Sequence, residues 1–311
     1  MNLSDLQSQL LAPPKREELV PPPRFQTSTF ASYNIDTAIN GLATAVQQIK
    51  NFAAQKPSRW WQWSRRNEKP GLYLDGDFGV GKTHLLAAMF HANPGTGTYC
   101  SFAEAISLAI VQGPEQAVKT LAADLVCIDE FELDDPSNTR LADLLVDGLI
   151  KAGCRIAVTS NTVPGELGQG RMSVDKFRDQ LVRIANAFQD VHVPGNDYRQ
   201  RARPAAHKNP HFWSTDCAPF TEPQAYTVSM EELDKFLITI PIINLRRVAQ
   251  QIPMLYIRDL VPCQDQLIGL RLVHIVDKLY DFKSQLRIQT DIDLEDLFLP
   301  EYRDWAFAKK Y

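Results

Sequence analysis

Residues 76 to 83 read Gly-Asp-Phe-Gly-Val-Gly-Lys-Thr, which fits G-x-x-x-x-G-K-[ST]. This octet constrains the fold more than any other stretch, because it works only between a strand and a helix. The flanks supply both. Gly71-Leu72-Tyr73-Leu74-Asp75 is a short apolar run suited to a buried strand, and His84-Leu85-Leu86-Ala87-Ala88-Met89-Phe90-His91 is rich in helix formers. The glycines let the backbone curl until successive N–H groups face one point. The N-terminus of the following helix adds positive potential there. The candidate phosphate cradle is therefore Gly76, Asp77, Phe78, Gly79, Val80, Gly81, Lys82, Thr83 and His84. In such a loop the lysine, here Lys82, reaches the β- and γ-phosphates of ATP, and the Thr83 hydroxyl holds Mg²⁺.

Strands and helices alternate from 71 to 160. Strands are expected at 71–75, 97–102, 124–128 and 155–160, with helices near 82–91, 103–112, 115–122 and 138–152. This alternation implies an α/β fold, a parallel sheet flanked by helices, with its ligand at the carboxyl ends of the strands. An apolar period of three and four also predicts helices over 35–54 and 173–189. The proline-rich stretch 1–29 reads as an extended arm, 30–200 as the core, and 201–311 as a smaller α+β region with helices at 230–240 and 264–282.

Two further segments carry chemistry. Asp124-Leu125-Val126-Cys127-Ile128-Asp129-Glu130 is an apolar strand ending in two acids, the Walker B pattern. Asp129 is the candidate Mg²⁺ residue opposite Thr83. Glu130 is the candidate acceptor of a proton from an attacking water. The strand Arg155-Ile156-Ala157-Val158-Thr159-Ser160 ends in Asn161, a candidate for orienting that water. Phosphoryl transfer also needs positive charge at the transition state, often an arginine from a neighbouring subunit. Arg171, in a glycine-flanked loop, is the first candidate, with Arg178, Arg183 and Arg199 as rivals.

Composition narrows the class. Net charge is −4, which speaks against a general nucleic-acid binder. No apolar run approaches the length of a membrane span, and the N-terminus lacks the pattern of a signal peptide. Five scattered cysteines with no C-x-x-C pair fit a reduced, cytoplasmic setting. Arg59-Trp60-Trp61-Gln62-Trp63-Ser64-Arg65-Arg66 reads as a local aromatic cluster with a solvated basic rim. Contact with a partner, a membrane surface or single-stranded nucleic acid is the alternative. His207 and His211 read as loop histidines, since Pro210 spoils the helix that would align them.

The stretch from Gly71 to Leu86 resembles the signature of the ZapE-like P-loop ATPases, an AAA+-related family of bacterial cell division and of the mitochondrial inner membrane. Phe30-Ala31-Ser32-Tyr33, Cys127-Ile128-Asp129-Glu130-Phe131 with Asp135-Pro136, Thr159-Ser160-Asn161-Thr162 with Pro164, Asp197-Tyr198-Arg199, and Arg271 to Asp281 agree with it. The resemblance implies an AAA+-type ATPase that forms ATP-dependent homo-oligomers. It implies a protein partner, in bacteria the tubulin-like division protein, and a cytoplasmic place with membrane association at the division site. Lys82, Thr83, Asp129, Glu130 and Asn161 carry over directly, and Arg171 through a loop whose length varies. Family members commonly continue past a Lys-Tyr segment into a helix containing Ser-Arg-Leu. This sequence ends at Lys310-Tyr311, so the expectation is a missing late arginine and reduced activity. Remodelling of a protein partner is the first functional expectation. An ATP-switched adaptor and a DNA-associated loader are the alternatives.

Overall fold

Five consecutive buried residues, Gly71–Asp75, form strand β1, with neighbours on both sides. In the computed structural model the described residues are Leu3, 10–55, 69–133, 136–162, 174–196, 219–292 and 296–298. They fall into two compact units. One comprises 14–21 and 25–203; the other comprises 1–13, 22–24 and 204–311.

The first unit is a five-stranded, wholly parallel sheet in the order β2-β3-β4-β1-β5. Its strands are β1, β2 (Gly97–Ser101), β3 (Leu125–Asp129), β4 (Arg155–Thr159) and β5 (Phe188–His192). The helices are α1 (Leu42–Ala53), α2 (Lys82–Ala92), α3 (Phe102–Gln112), α4 (Pro114–Leu121), α5 (Pro136–Lys151) and α6 (Val174–Ala187). Side chains alternate across the sheet. Leu72, Leu74, Cys127, Ala157 and Val191 pack with α1 and α2 on one face. Tyr73, Phe102, Phe131 and Phe188 form an aromatic cluster on the other, with ring centroids 4.8–6.4 Å apart. Both faces are covered, which is why the strands read as continuous apolar runs.

Local sequence explains several boundaries. The helix expected over 35–54 begins only at Leu42, because Gly41 adopts φ +84°, outside the helical region. The helix expected to reach 189 stops at Ala187, and Phe188–His192 continues as β5. Ser101 and Glu104 cap α3 reciprocally: the Glu104 amide donates to Ser101 Oγ at 3.3 Å, and the Ser101 amide donates to Glu104 Oε2 at 2.7 Å. In the stretch expected to be an extended arm, Leu19 is fully buried and its carbonyl accepts from the Tyr99 amide on the β2 edge at 2.8 Å.

Arg155 opens β4 and is fully buried. Its guanidinium donates to the carbonyls of Phe52 (2.6 Å) and Ala53 (3.4 Å), at the last turn of α1, and to Asn93 Oδ1 (2.7 Å). It therefore closes the C-terminus of α1, where carbonyls lack intrahelical partners. Arg155→Leu keeps the apolar stem and leaves those acceptors buried without a donor. The expected loss is about 2–3 kcal/mol, read by urea unfolding of the full chain. A change below about 0.5 kcal/mol would show that the acceptors find other partners.

The second unit departs from the expected α+β arrangement. It is itself parallel α/β: β6 (Ala225–Ser229), α7 (Met230–Thr239), α8 (Leu245–Gln251), β7 (Met254–Arg258), α9 (Gln266–Asp281) and β8 (Gln285–Ile288). The sheet order is β6-β7-β8 and every pairing is parallel, so helices must carry the chain back between strands. Leu3 and Leu10 join its apolar core, and the Asn244 amide donates to the Leu10 carbonyl. Arg24 lies over the Tyr280 ring, 3.8 Å from its centroid.

Candidate functional site

The sheet order brings the motifs together. β4 lies between β1 and β3, with Leu74 paired to Thr159 and Ile128 to Val158. The carboxyl ends of these strands carry the glycine loop, Asn161 and the Asp129-Glu130 pair side by side. Ligands of parallel sheets bind at such ends.

The loop has the backbone it needs. Gly76, Gly79 and Gly81 take φ of +146°, +76° and +93°. A side chain at Gly76 would place its Cβ 2.5 Å from the Val193 carbonyl oxygen, and one at Gly81 would meet the Tyr33 ring at 2.8 Å. Both glycines are thus required by conformation and by space. Tyr33 also donates its hydroxyl to the Val80 carbonyl at 2.8 Å, so the segment before α1 braces the loop from behind. His84 meets the same segment: its Nε2 lies 3.0 Å from the Thr29 carbonyl and 3.2 Å from Ser32 Oγ. Phe78 at the loop tip is 57% exposed.

Lys82 begins α2 and is buried. Its ammonium donates to the carbonyls of Gly76 (2.7 Å) and Asp77 (2.8 Å) and to Asn161 Oδ1 (2.9 Å). An ammonium has three donors, and all three are used here. Burial lowers the Lys82 pKa, against the opposing pull of Asp129, Glu132, Asp75 and Asp77.

Asp129 ends β3 with both oxygens engaged. Oδ1 accepts from Thr83 Oγ1 (3.2 Å) and Thr159 Oγ1 (2.5 Å), and Oδ2 accepts from the Tyr99 hydroxyl (3.0 Å). Burial raises the Asp129 carboxyl above its ordinary range and the Glu130 charge adds to this, while the three hydroxyl bonds pull it back. A carboxylate and a threonine hydroxyl held together are oxygen donors suited to Mg²⁺. Glu130 follows with φ +56°, a left-handed value uncommon for a residue with a side chain. Its amide donates to Thr159 Oγ1 at 2.9 Å, so one hydroxyl fixes both acidic residues.

Lys82, Thr83, Asp129 and Asn161 are thus brought together, with Glu130 adjacent to Asp129. Arg171 and Arg199 lie outside the described residues, as do the tryptophan–arginine stretch, both loop histidines and the Asp197-Tyr198-Arg199 triplet. Of the rival arginines, Arg178 is exposed and Arg183 is paired bidentately with Asp143 of the same chain. Four side chains were not foreseen as part of the site: Tyr33, Tyr99, Thr159 and Glu132. Glu132 accepts from the Asn161 amide (2.9 Å), from Asn161 Nδ2 (3.2 Å) and from Thr162 Oγ1 (3.3 Å). Its nearness to the Asp129-Glu130 pair was the one signal available in the sequence. Among the described residues no helix is long and apolar enough to cross a membrane. Cys100, Cys127, Cys154 and Cys263 are buried free thiols.

The AFG1-like ATPase family matches residues 17–227. The chain is similar to the cell division protein ZapE of Escherichia coli (strain K12), 26% identical over 163 residues, covering 47% of this chain and 44% of that protein. It is also similar to the chromosomal replication initiator protein DnaA of Sphingopyxis alaskensis, 30% identical over 164 residues, covering 49% of this chain and 35% of that protein. The chain thus spans less than half the length of these relatives. Among solved structures it is similar to a crystal structure of DnaI, with a TM-score of 0.46 and 18% identity, covering 59% of this chain and 99% of that one.

Proposed function

We propose that this chain, which belongs to the AFG1-like ATPase family, hydrolyses ATP and couples hydrolysis to remodelling a protein partner. One observation carries the ATP-hydrolysis half of the reading: Lys82 and Asn161 bond at 2.9 Å while Thr83 and Asp129 bond at 3.2 Å, all at the carboxyl ends of three adjacent parallel strands. The donor set fits a triphosphate with Mg²⁺. The glycine loop presents amides to phosphate, and Thr83 and Asp129 would hold the metal, which screens phosphate charge when bound. Lys82 neutralises charge on the transferred group, Glu130 takes the proton of the attacking water, and Asn161 orients that water. Arg171 is proposed to complete the site of a neighbouring subunit.

The similarity to a cell division protein favours a role in cell division. The tubulin-like division protein as partner, a cytoplasmic place at the division ring and peripheral membrane contact extend the proposal from the family resemblance of the motifs. The shared-site reading makes a concentration test decisive. Turnover per subunit is expected to rise with protein concentration, and Arg171→Ala to abolish that rise while leaving ATP binding intact. Turnover per subunit that stays flat and near zero, with ATP still bound, would sink the remodelling-enzyme reading and favour an adaptor switched by bound ATP.

A further inference from the structure

Asn161 sits between two groups of opposite charge. Its Oδ1 accepts from Lys82 Nζ at 2.9 Å, and its Nδ2 donates to Glu132 Oε1 at 3.2 Å. An ammonium has only protons to give and a carboxylate only lone pairs. The amide therefore has one orientation that satisfies both neighbours, and the flipped one would set like against like at each end.

Glu132 holds more than the side chain. The same Oε1 accepts from the Asn161 backbone amide at 2.9 Å, and Oε2 accepts from Thr162 Oγ1 at 3.3 Å. The turn has independent anchors. Ser160 Oγ accepts from the Thr162 amide at 3.0 Å, and Tyr73 donates its hydroxyl to the Thr162 carbonyl at 2.9 Å. Backbone placement is thus shared among several groups, whereas Glu132 holds the NH₂ end of the Asn161 amide.

We infer that Glu132 is a positioning residue for hydrolysis: it fixes the polarity of the Asn161 amide so that Oδ1 faces the phosphate side of the site. The inference rests on the ATPase reading above. All three Lys82 donors are used on protein oxygens, so engaging a phosphate requires Lys82 to give up at least one. When the bond to Asn161 is the one released, Oδ1 becomes an open acceptor for a water proton. Glu132 keeps its grip on the other end, so Oδ1 stays aimed. Without Glu132 the amide rotates and offers NH₂ to the water in part of the population.

Steady-state kinetics of the full chain separates this role from a structural one. Glu132→Ala is expected to lower kcat roughly 10-fold or more, with the KM for ATP changing much less, since Asn161 loses its orientation while Lys82 loses one of several nearby acids. Glu132→Gln retains a carbonyl acceptor and should remain within about 3-fold of wild type. Adding Glu132→Ala to Asn161→Ala should cost less than about 2-fold further, because the residue it positions is gone. Losses that multiply in the double variant, or a change confined to KM, would overturn the inference. Glu132→Met keeps the length, removes both acceptors, and replaces the alanine variant if that one unfolds. A wild type without turnover would defeat the ATPase reading instead. The placement is then decided by the Asn161 side-chain amide resonances, identified by their loss in Asn161→Asp. They should shift in Glu132→Ala and persist in Glu132→Gln, and an amide indifferent to both refutes the hold.

Discussion

Lys82→Met is expected to cut turnover by about 10²–10³-fold while changing stability by no more than about 1–2 kcal/mol. The side chain is buried, and its ammonium donates to Gly76, Asp77 and Asn161 at 2.7–2.9 Å. Two large effects oppose each other in the folded protein. Burial disfavours the charge and lowers the Lys82 pKa, while three hydrogen bonds and the nearby acids restore part of the loss. Methionine removes the desolvation cost together with the bonds. The net change in unfolding free energy should stay within about 1–2 kcal/mol. The sign of the linkage adds a check. A lysine whose folded pKa is lowered weakens the fold while it is charged, and that penalty fades as pH rises through the folded value toward the unfolded one. Wild-type stability should therefore gain on the variant's as the solution becomes alkaline below pH 10.5. Catalysis has no such compensation. Charge that develops on the transferred phosphoryl group loses its fixed cation, and removing a donor of this kind costs about 10²–10³-fold. A phosphate-release assay beside a urea titration reads both quantities. Turnover within about 10-fold of wild type would mean that Lys82 does not face the reacting phosphate.

What could be read from the chain depended on whether the information was contiguous. Gly76 to Thr83 is local: its glycines, lysine and threonine act within one turn, so spacing alone identifies them. Gly71–Asp75 was equally legible, because a strand covered on both faces is apolar throughout. β5 was not. It follows α6 with no intervening residue, and Phe188 extends the helical spacing of Leu181 and Ile184, so periodicity ran through the junction. As an edge strand with Gln189, Asp190 and His192 exposed, it lacks the apolar run that marked the others. The partners of Asp129 were hidden for a different reason. Tyr99 lies on β2 and Thr159 on β4, and only the order β2-β3-β4 places both hydroxyls on one carboxylate. Tyr33 is more distant still, reaching Val80 from before α1. The second unit obscured its parallel sheet in another way: α7 and α8 fall within one crossover, so strand and helix do not alternate one for one.

Glu130→Gln is expected to bind ATP and fail to cleave it. The residue sits at φ +56°, a conformation that costs a side chain roughly 1–2 kcal/mol and persists because the surroundings enforce it. Here the enforcement is visible. Thr159 Oγ1 accepts from the Glu130 amide at 2.9 Å, and the Phe131 amide donates to the Thr159 carbonyl at 2.7 Å. The chain is thus held on both sides of Glu130 by one residue of the adjacent strand. Glutamine adopts the same backbone at the same cost, so stability should change by less than about 0.5 kcal/mol. Removing the charge also relieves Asp129, whose carboxyl is raised in part by Glu130, so metal-dependent nucleotide binding should be kept or tightened. The amide has no lone pair basic enough to take the proton of an attacking water. The expected fall in kcat is about 10²–10⁴-fold. Fluorescent ATP binding and single-turnover cleavage, measured on the same preparation, test the two halves separately. Tight binding without cleavage assigns Glu130 the proton transfer. Cleavage at the wild-type rate would move that role to another group and leave the left-handed Glu130 as a device for placing Asp129 alone.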